Sequence, residues 1–427
     1  MVWRGGPHVK ICSIGYPPWQ GEYKPGPVPS SRPAVMPLSR SRRLAWRLGW
    51  WFYALCCAPL FRPRVSGRRN VPAEGPVLLL ANHTSLMDPP HVVWPLWRPA
   101  HFMASEQLFR ITPALTALIT ALNAFPKAKG VKDRASMIAL TERYEGGDIV
   151  NFYPEGERTW DGRLLPIVPT TARLLKRLEA RVIYARIQTG HLNHPRWARW
   201  PRWVPTEITY SRLHVYDNPD QPEDEIMADI LSNLRIDPLA VRAGWPSIGF
   251  RMAEGLPDFL WACPACLAQD TLEVAPDNRS AIQCRRCGAR WRVDVSQRLL
   301  ADGGPAEDTH VATAHDAIVA RFEALGSGTL LEAADASLWK IQRGERTPVV
   351  IGAGTARLTR TTLGLYGVDG GTIWEASLSE LHAVNMQIGN QLQVRTEGAN
   401  MQLNPGQQSP IKWCHFTRRA RQSLGAR

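Results

Sequence analysis

Short apolar runs alternate with amphipathic stretches along most of this chain, and the change of period marks its elements. The runs at 77–81, 149–153 and 182–187 are almost unbroken in their apolar character, as strands buried on both faces must be. Between and after them, 113–122, 135–144 and 171–178 read as helices. Strand–helix alternation across 64–215 predicts a largely parallel sheet covered by helices. An acidic helical stretch, roughly 221–234, leads out of that region. Past residue 305 the pattern changes. One helix at about 309–325 precedes short strand-like segments at 349–351, 356–359, 363–366, 372–376 and 392–396, with Gly-containing turns and a closing helix at 410–420. The fold class expected is therefore an α/β domain over residues 64–240 and a β-rich domain over 305–427, with a cysteine-bearing segment between them.

The N-terminal pattern predicts two further pieces. Residues 1–38 are rich in Pro, Gly and Ser and show no periodicity, so they bury too little apolar surface to order and are expected to be a disordered tail. No apolar core follows the first charges, which excludes the reading as a signal peptide, and Met36 offers an internal start. In 39–63, Arg40, Arg42, Arg43 and Arg47 precede the uncharged run from Leu48 to Phe61. That run falls short of the roughly 20 residues a bilayer span needs. It predicts an amphipathic helix lying at a membrane surface, against the alternative of a buried core helix. Its positive flanks favour the cytoplasmic face of a membrane.

The candidate chemistry begins where the first strand ends, at Asn82-His83-Thr84-Ser85-Leu86-Met87-Asp88. An imidazole titrating at about 6.5 suits proton transfer near neutral pH, and a carboxylate can orient its other nitrogen. Asp88 followed by Pro89 equally suits a helix start, which would leave His83 a turn residue. A second turn, Tyr153-Pro154-Glu155-Gly156-Glu157-Arg158, ends the strand at 149–153. In order and spacing the two turns resemble the glycerolipid acyltransferase family, whose best-known members acylate lysophosphatidic acid. That family carries Asn-His-x-x-x-x-Asp and then Phe-Pro-Glu-Gly-x-Arg, with Tyr153 here in place of the Phe. The lead-in from Asn70 to Pro76 is similar to the family's as well.

The resemblance implies acyl transfer from acyl-CoA or acyl carrier protein to the hydroxyl of a lysophospholipid. His83 would be the general base and Asp88 its orienting partner, with backbone N–H groups near the first motif stabilising the oxyanion. Asn82, Tyr153, Pro154, Glu155, Gly156 and Arg158 would form the acceptor site, and Lys129 would take the place of a phosphate-binding Arg, with Lys127 a near alternative. Lysine there keeps the charge but loses the bidentate fork. The chain departs from the family at 166–171 and in lacking a proline in the strand at 182–187, which puts the identity of the acceptor in question.

Charge and cysteines add the rest. A net charge of +13 and 17 tryptophans favour an anionic partner, a phospholipid membrane ahead of nucleic acid. The Arg- and Trp-rich stretch 194–203 is expected to touch lipid, with Arg–Trp stacking against the domain as the alternative. Cys263, Cys266, Cys284 and Cys287 form two Cys-x-x-Cys pairs. They resemble a zinc ribbon over 255–300 holding a structural zinc with no open position. The strands and closing helix of 305–427 look like a pleckstrin-homology or GRAM-type domain, a place for a protein partner. Two rival functions follow from the same residues: a non-catalytic membrane adaptor, and a nucleic-acid binder.

Overall fold

The computed structural model describes residues 40–96, 98–128, 133–244, 246–323, 328–341, 348–387, 391–397 and 399–425. The tail expected at 1–38, and Lys129, lie outside the described residues.

The first sheet is built from β1 (Arg64–Ser66), β2 (Val77–Ala81), β3 (Ala100–Ser105), β4 (Ala124–Lys127), β5 (Ile149–Phe152), β6 (Arg181–Ile187), β7 (Glu207–Tyr210) and β8 (His214–Val215). Its order is β1-β7-β6-β2-β5-β3-β4, with β8 also on β6. β2 pairs in parallel with both β5 and β6, so it is the sheet's centre, while β7 and β8 run antiparallel to β6. Every residue of β2 and β5 is buried, which explains why both strands read as unbroken apolar runs. The helices at Pro113–Ala121, Arg134–Glu145 and Thr170–Arg177 match the periodic stretches. The acidic stretch forms a helix, Glu223–Leu234, that buries Ile226, Ile230 and Leu234 in the core beneath the sheet.

The second half is antiparallel. β9 (Leu272–Val274), β10 (Ala281–Cys284), β11 (Arg290–Val293), β12 (Arg298–Gly303) and β13 (Thr309–His310) form one sheet. β14 (Thr329–Lys340), β15 (Val349–Thr359), β16 (Thr362–Tyr366), β17 (Thr372–Ser377), β18 (Ala383–Gln387), β19 (Gln391–Arg395) and β20 (Asn400–Asn404) form another, in the order β17-β16-β15-β14-β20-β19-β18. The long β14 pairs with β15 on one side and β20 on the other, and a helix at Pro410–Ser423 closes the sheet. Both sheets share one core, running from Trp261 and Trp291 to Leu338 and Trp413.

At the N-terminus, Arg40–Phe52 is a helix that continues through a π-turn at Tyr53–Cys57 into Ala58–Phe61. One face docks on the α/β domain. Trp46 packs on Trp94 at 4.7 Å, Trp50 Nε1 donates to the Trp94 carbonyl (2.9 Å), and Tyr53 Oη meets His91 Nδ1 at 2.8 Å. The opposite face exposes Leu44, Leu48, Trp51, Phe52 and Leu55. Among the described residues, no helix is long and apolar enough to cross a membrane.

Candidate active site

β2 and β5 are parallel neighbours, so the turns that follow them emerge side by side at the carboxyl edge of the sheet, where open α/β folds place their sites. The first turn is held by Asp88. This carboxylate is fully buried at the start of a short helix, Asp88–Val93. It reaches back to accept the N–H groups of Thr84 and Ser85 and the Thr84 hydroxyl, and it meets His83 Nδ1 at 2.9 Å. Five residues separate His83 from Asp88 along the chain; only the tight turn between them brings the two side chains together. The His83 side chain keeps 20 % of its surface open.

The second turn braces the first. Pro154 and Gly156 shape it: the Gly156 N–H donates to the Tyr153 carbonyl (3.1 Å), and Gly156 sits at φ +74°, where a side chain would be strained. Glu155 is buried. One of its oxygens accepts the His83 backbone N–H, and the other accepts the Leu165 N–H at 2.7 Å. Burial pushes its carboxyl well above the usual range, and those two N–H donors pull against the shift. Thr159 N–H completes the brace by donating to the His83 carbonyl (2.9 Å). Tyr153 stacks on the His83 ring, centroids 4.0 Å apart and 22° between planes.

The structure therefore separates the residues expected to form the acceptor site. Asn82 and Glu155 are structural braces rather than pocket walls. Asn82 is buried and exchanges two hydrogen bonds with the Ile187 backbone, 2.9 and 2.7 Å, tying the first turn to β6. Pro154 is buried within its turn. Tyr153 and Arg158 are partly exposed and Gly156 is exposed, beside His83 or in the same loop. Lys127 ends β4 at the sheet's edge. The oxyanion donors expected in the first motif need correction. The N–H groups of His83, Thr84 and Ser85 are already engaged by Glu155 and Asp88. Sequence reasoning also missed Gly190, where a Cβ would collide with the Thr84 hydroxyl and lie 3.0 Å from Asp88 Oδ1. Only glycine lets β6's exit pass so close to the carboxylate.

The stretch 194–203 corrects a second expectation. Arg196, Trp197 and Arg202 are buried, and guanidinium–indole stacking holds the segment: Arg202 over Trp197 at 5.1 Å, and Arg196 over Trp160 at 4.2 Å. Its buried residues join the two halves of the molecule, while Arg199, Trp200 and Pro201 stay exposed.

Far from His83, the four cysteines converge. Their sulfurs lie within 4.8 Å of one another, with Cys263–Cys287 and Cys266–Cys284 both at 3.8 Å. Tetrahedral zinc with Zn–S bonds near 2.3 Å requires sulfurs about 3.8 Å apart, whereas a disulfide requires ~2 Å. The Arg286 N–H (3.4 Å) and Thr271 hydroxyl (3.3 Å) approach Cys284 Sγ, as suits a thiolate. The cluster can thus hold a metal. Two arginines of this segment are paired with acids, Arg290 with Asp277 and Asp302 and Arg285 with Glu273.

Comparison with known proteins decides the domain. The acyltransferase family model matches residues 62–187, the span that holds both turns. The chain carries an acyltransferase-family domain. No curated protein matches the chain. Among solved structures it is similar to the 1-acyl-sn-glycerophosphate (LPA) acyltransferase PlsC from Thermotoga maritima, at 22% identity and a TM-score of 0.39, covering 46% of this chain and 80% of that one. A likeness of that size carries no argument; the acyltransferase domain rests on the family match and its function on the geometry above.

Proposed function

We propose that this protein moves a fatty acyl group from an acyl-CoA or acyl carrier protein thioester to the free hydroxyl of a lysophospholipid, lysophosphatidic acid first. One observation carries the reading: His83 Nδ1 lies 2.9 Å from a buried Asp88 while the ring stays open to solvent. In this mechanism Asp88 keeps the proton on Nδ1, and Nε2 is the base. Nε2 takes the proton of the acceptor hydroxyl as its oxygen attacks the thioester carbonyl. Collapse of the tetrahedral adduct breaks the C–S bond, and the imidazolium returns its proton to the leaving thiolate. Arg158 takes the anionic headgroup, with Lys129 as a second cation.

Two further assignments belong to the same reading. The four cysteines hold one structural zinc. A membrane face is formed by the exposed side of Arg40–Phe52 and by Pro113–Ala121, a helix with no charged residue and none buried. Gly49 allows the two to approach, since a Cβ there would strike Leu122 and Trp94. Arg43 and Arg47, also exposed, flank this face and suit anionic headgroups. The β14–β20 sheet with its closing helix is read as a pleckstrin-homology-like platform for a protein partner.

The test is a panel of lysolipid acceptors offered to zinc-loaded protein with acyl-CoA and with acyl carrier protein. Thioester consumption matched by diacyl product on at least one lysophospholipid is expected. A silent panel from folded protein that still floats with anionic vesicles contradicts catalysis and supports the adaptor.

A further inference from the structure

Glu157 and Arg158 are neighbours in the second turn, and opposite charges so placed would be expected to satisfy each other. They do not. The Glu157 carboxylate pairs with Arg196 Nη1 (3.1 Å) and with Arg418 Nη2 (3.4 Å) on the closing helix. Arg418 is itself fixed, its Nε donating to the Val384 carbonyl on β18 (2.9 Å). Arg196 donates to the Arg158 carbonyl (2.6 Å) and to the Met386 carbonyl, also on β18 (3.0 Å). Among the described residues, the Arg158 guanidinium makes no hydrogen bond. Burial first, and then the Arg196 charge, lower its pKa to about 10 against the opposing pull of Asp88 and Glu157. Two guanidiniums thus take the Glu157 carboxylate while a third, Arg158, stands beside it in the chain, and the excess positive charge sits on the loop that braces His83.

We infer that the C-terminal sheet is part of the acceptor site: Arg418 holds Glu157 away from Arg158, and so keeps Arg158 available to a phosphate-bearing acceptor headgroup. This rests on the acyl-acceptor reading of that loop. It gives the β14–β20 half a role in positioning, since Arg418 touches Glu157 and not the ligand. Removing Arg418 leaves Glu157 with Arg196 and one cation fewer, and Arg158, its neighbour along the chain, is the cation that can replace Arg418. An internal carboxylate then competes with the phosphate for the same guanidinium.

The experiment measures binding of glycerol 3-phosphate to the full chain by calorimetry, so that it does not depend on turnover. Wild type is expected to bind, Arg418→Gln to bind about tenfold more weakly, and Arg418→Lys to fall between. The deciding variant is the Glu157→Gln, Arg418→Gln pair. If Arg418 acts by occupying Glu157, removing the carboxylate restores affinity to within about twofold of wild type. A role limited to holding the sheet in place predicts no such rescue. Absence of binding by wild type, unchanged binding in Arg418→Gln, or a double variant as weak as the single one each overturns the inference. Melting temperatures of all variants within a few degrees of wild type establish that each is folded. The binding pattern without any acyl transfer would defeat the proposed function and leave this inference standing.

Discussion

The two loops that meet at His83 are held by different means. Residues 82–88 are secured by their own domain: Asp88 gathers the turn and Asn82 pins it to β6. Residues 153–163 are secured largely from outside. Trp160 stacks on Phe259, Arg163 pairs with Asp316, and Glu157 pairs with Arg418. The loop carrying the base is therefore held within the α/β domain, two of its backbone groups by the second loop, while that second loop depends on the C-terminal half of the chain.

The largest effect expected from breaking this arrangement is metal removal. Structural zinc contributes on the order of 10 kcal/mol to small domains. A zinc held by the four cysteines would secure a core shared with the closing helix, whose Arg418 pairs with Glu157. Chelation should lower the melting temperature by about 10 °C or more, and elemental analysis should find one zinc per chain beforehand. Asp88→Asn attacks the base-bearing loop instead. It should lower kcat by about a thousandfold with little change in acceptor KM, whereas equal losses in both parameters would show that the two loops are not separable.

Glu155→Ala cuts the brace between the loops and leaves the His83 and Leu165 N–H groups unpaired. At about 1–3 kcal/mol for each buried donor, urea denaturation should register a loss of about 2–5 kcal/mol, and Glu155→Gln should lose less. The gentlest probe is acid. Burial lowers the pKa of His91, beside the first loop, and of His191, behind it, to about 4. The unfolded chain titrates these rings near 6.5 and therefore binds more protons between the two values. Their contribution is complete above pH 6.5 and is lost as pH falls toward 4. The melting temperature should decline steadily across that window, and a flat profile would contradict the burial of these rings in neutral form.

The base-bearing loop was legible in the sequence because its central pair is local. Five positions separate His83 from Asp88, and the strands feeding both turns are unbroken apolar runs. Side-chain direction was not legible. Asn82 and Glu155 stand in the motifs among residues that face the cleft, yet both turn inward to backbone groups on other strands or loops. The dependent loop was hidden for a different reason: Arg418 lies 261 residues from Glu157, and no periodicity joins them. The stretch 194–203 misled because its arginines looked unable to be buried; indole faces and backbone carbonyls hold Arg196 and, through one nitrogen, Arg202. β14, β18 and β20 went unread because their Ala, Asn and Gln content weakens the alternation that marks a strand.

The central claim is that His83, oriented by Asp88, is the base for acyl transfer. Its most direct test compares wild type with His83→Ala on the acceptor that proves best, using zinc-loaded protein of matched melting temperature. The account predicts that thioester-to-hydroxyl transfer falls by about 10²–10⁴ while glycerol 3-phosphate binding persists. Transfer within a few-fold of wild type would contradict it.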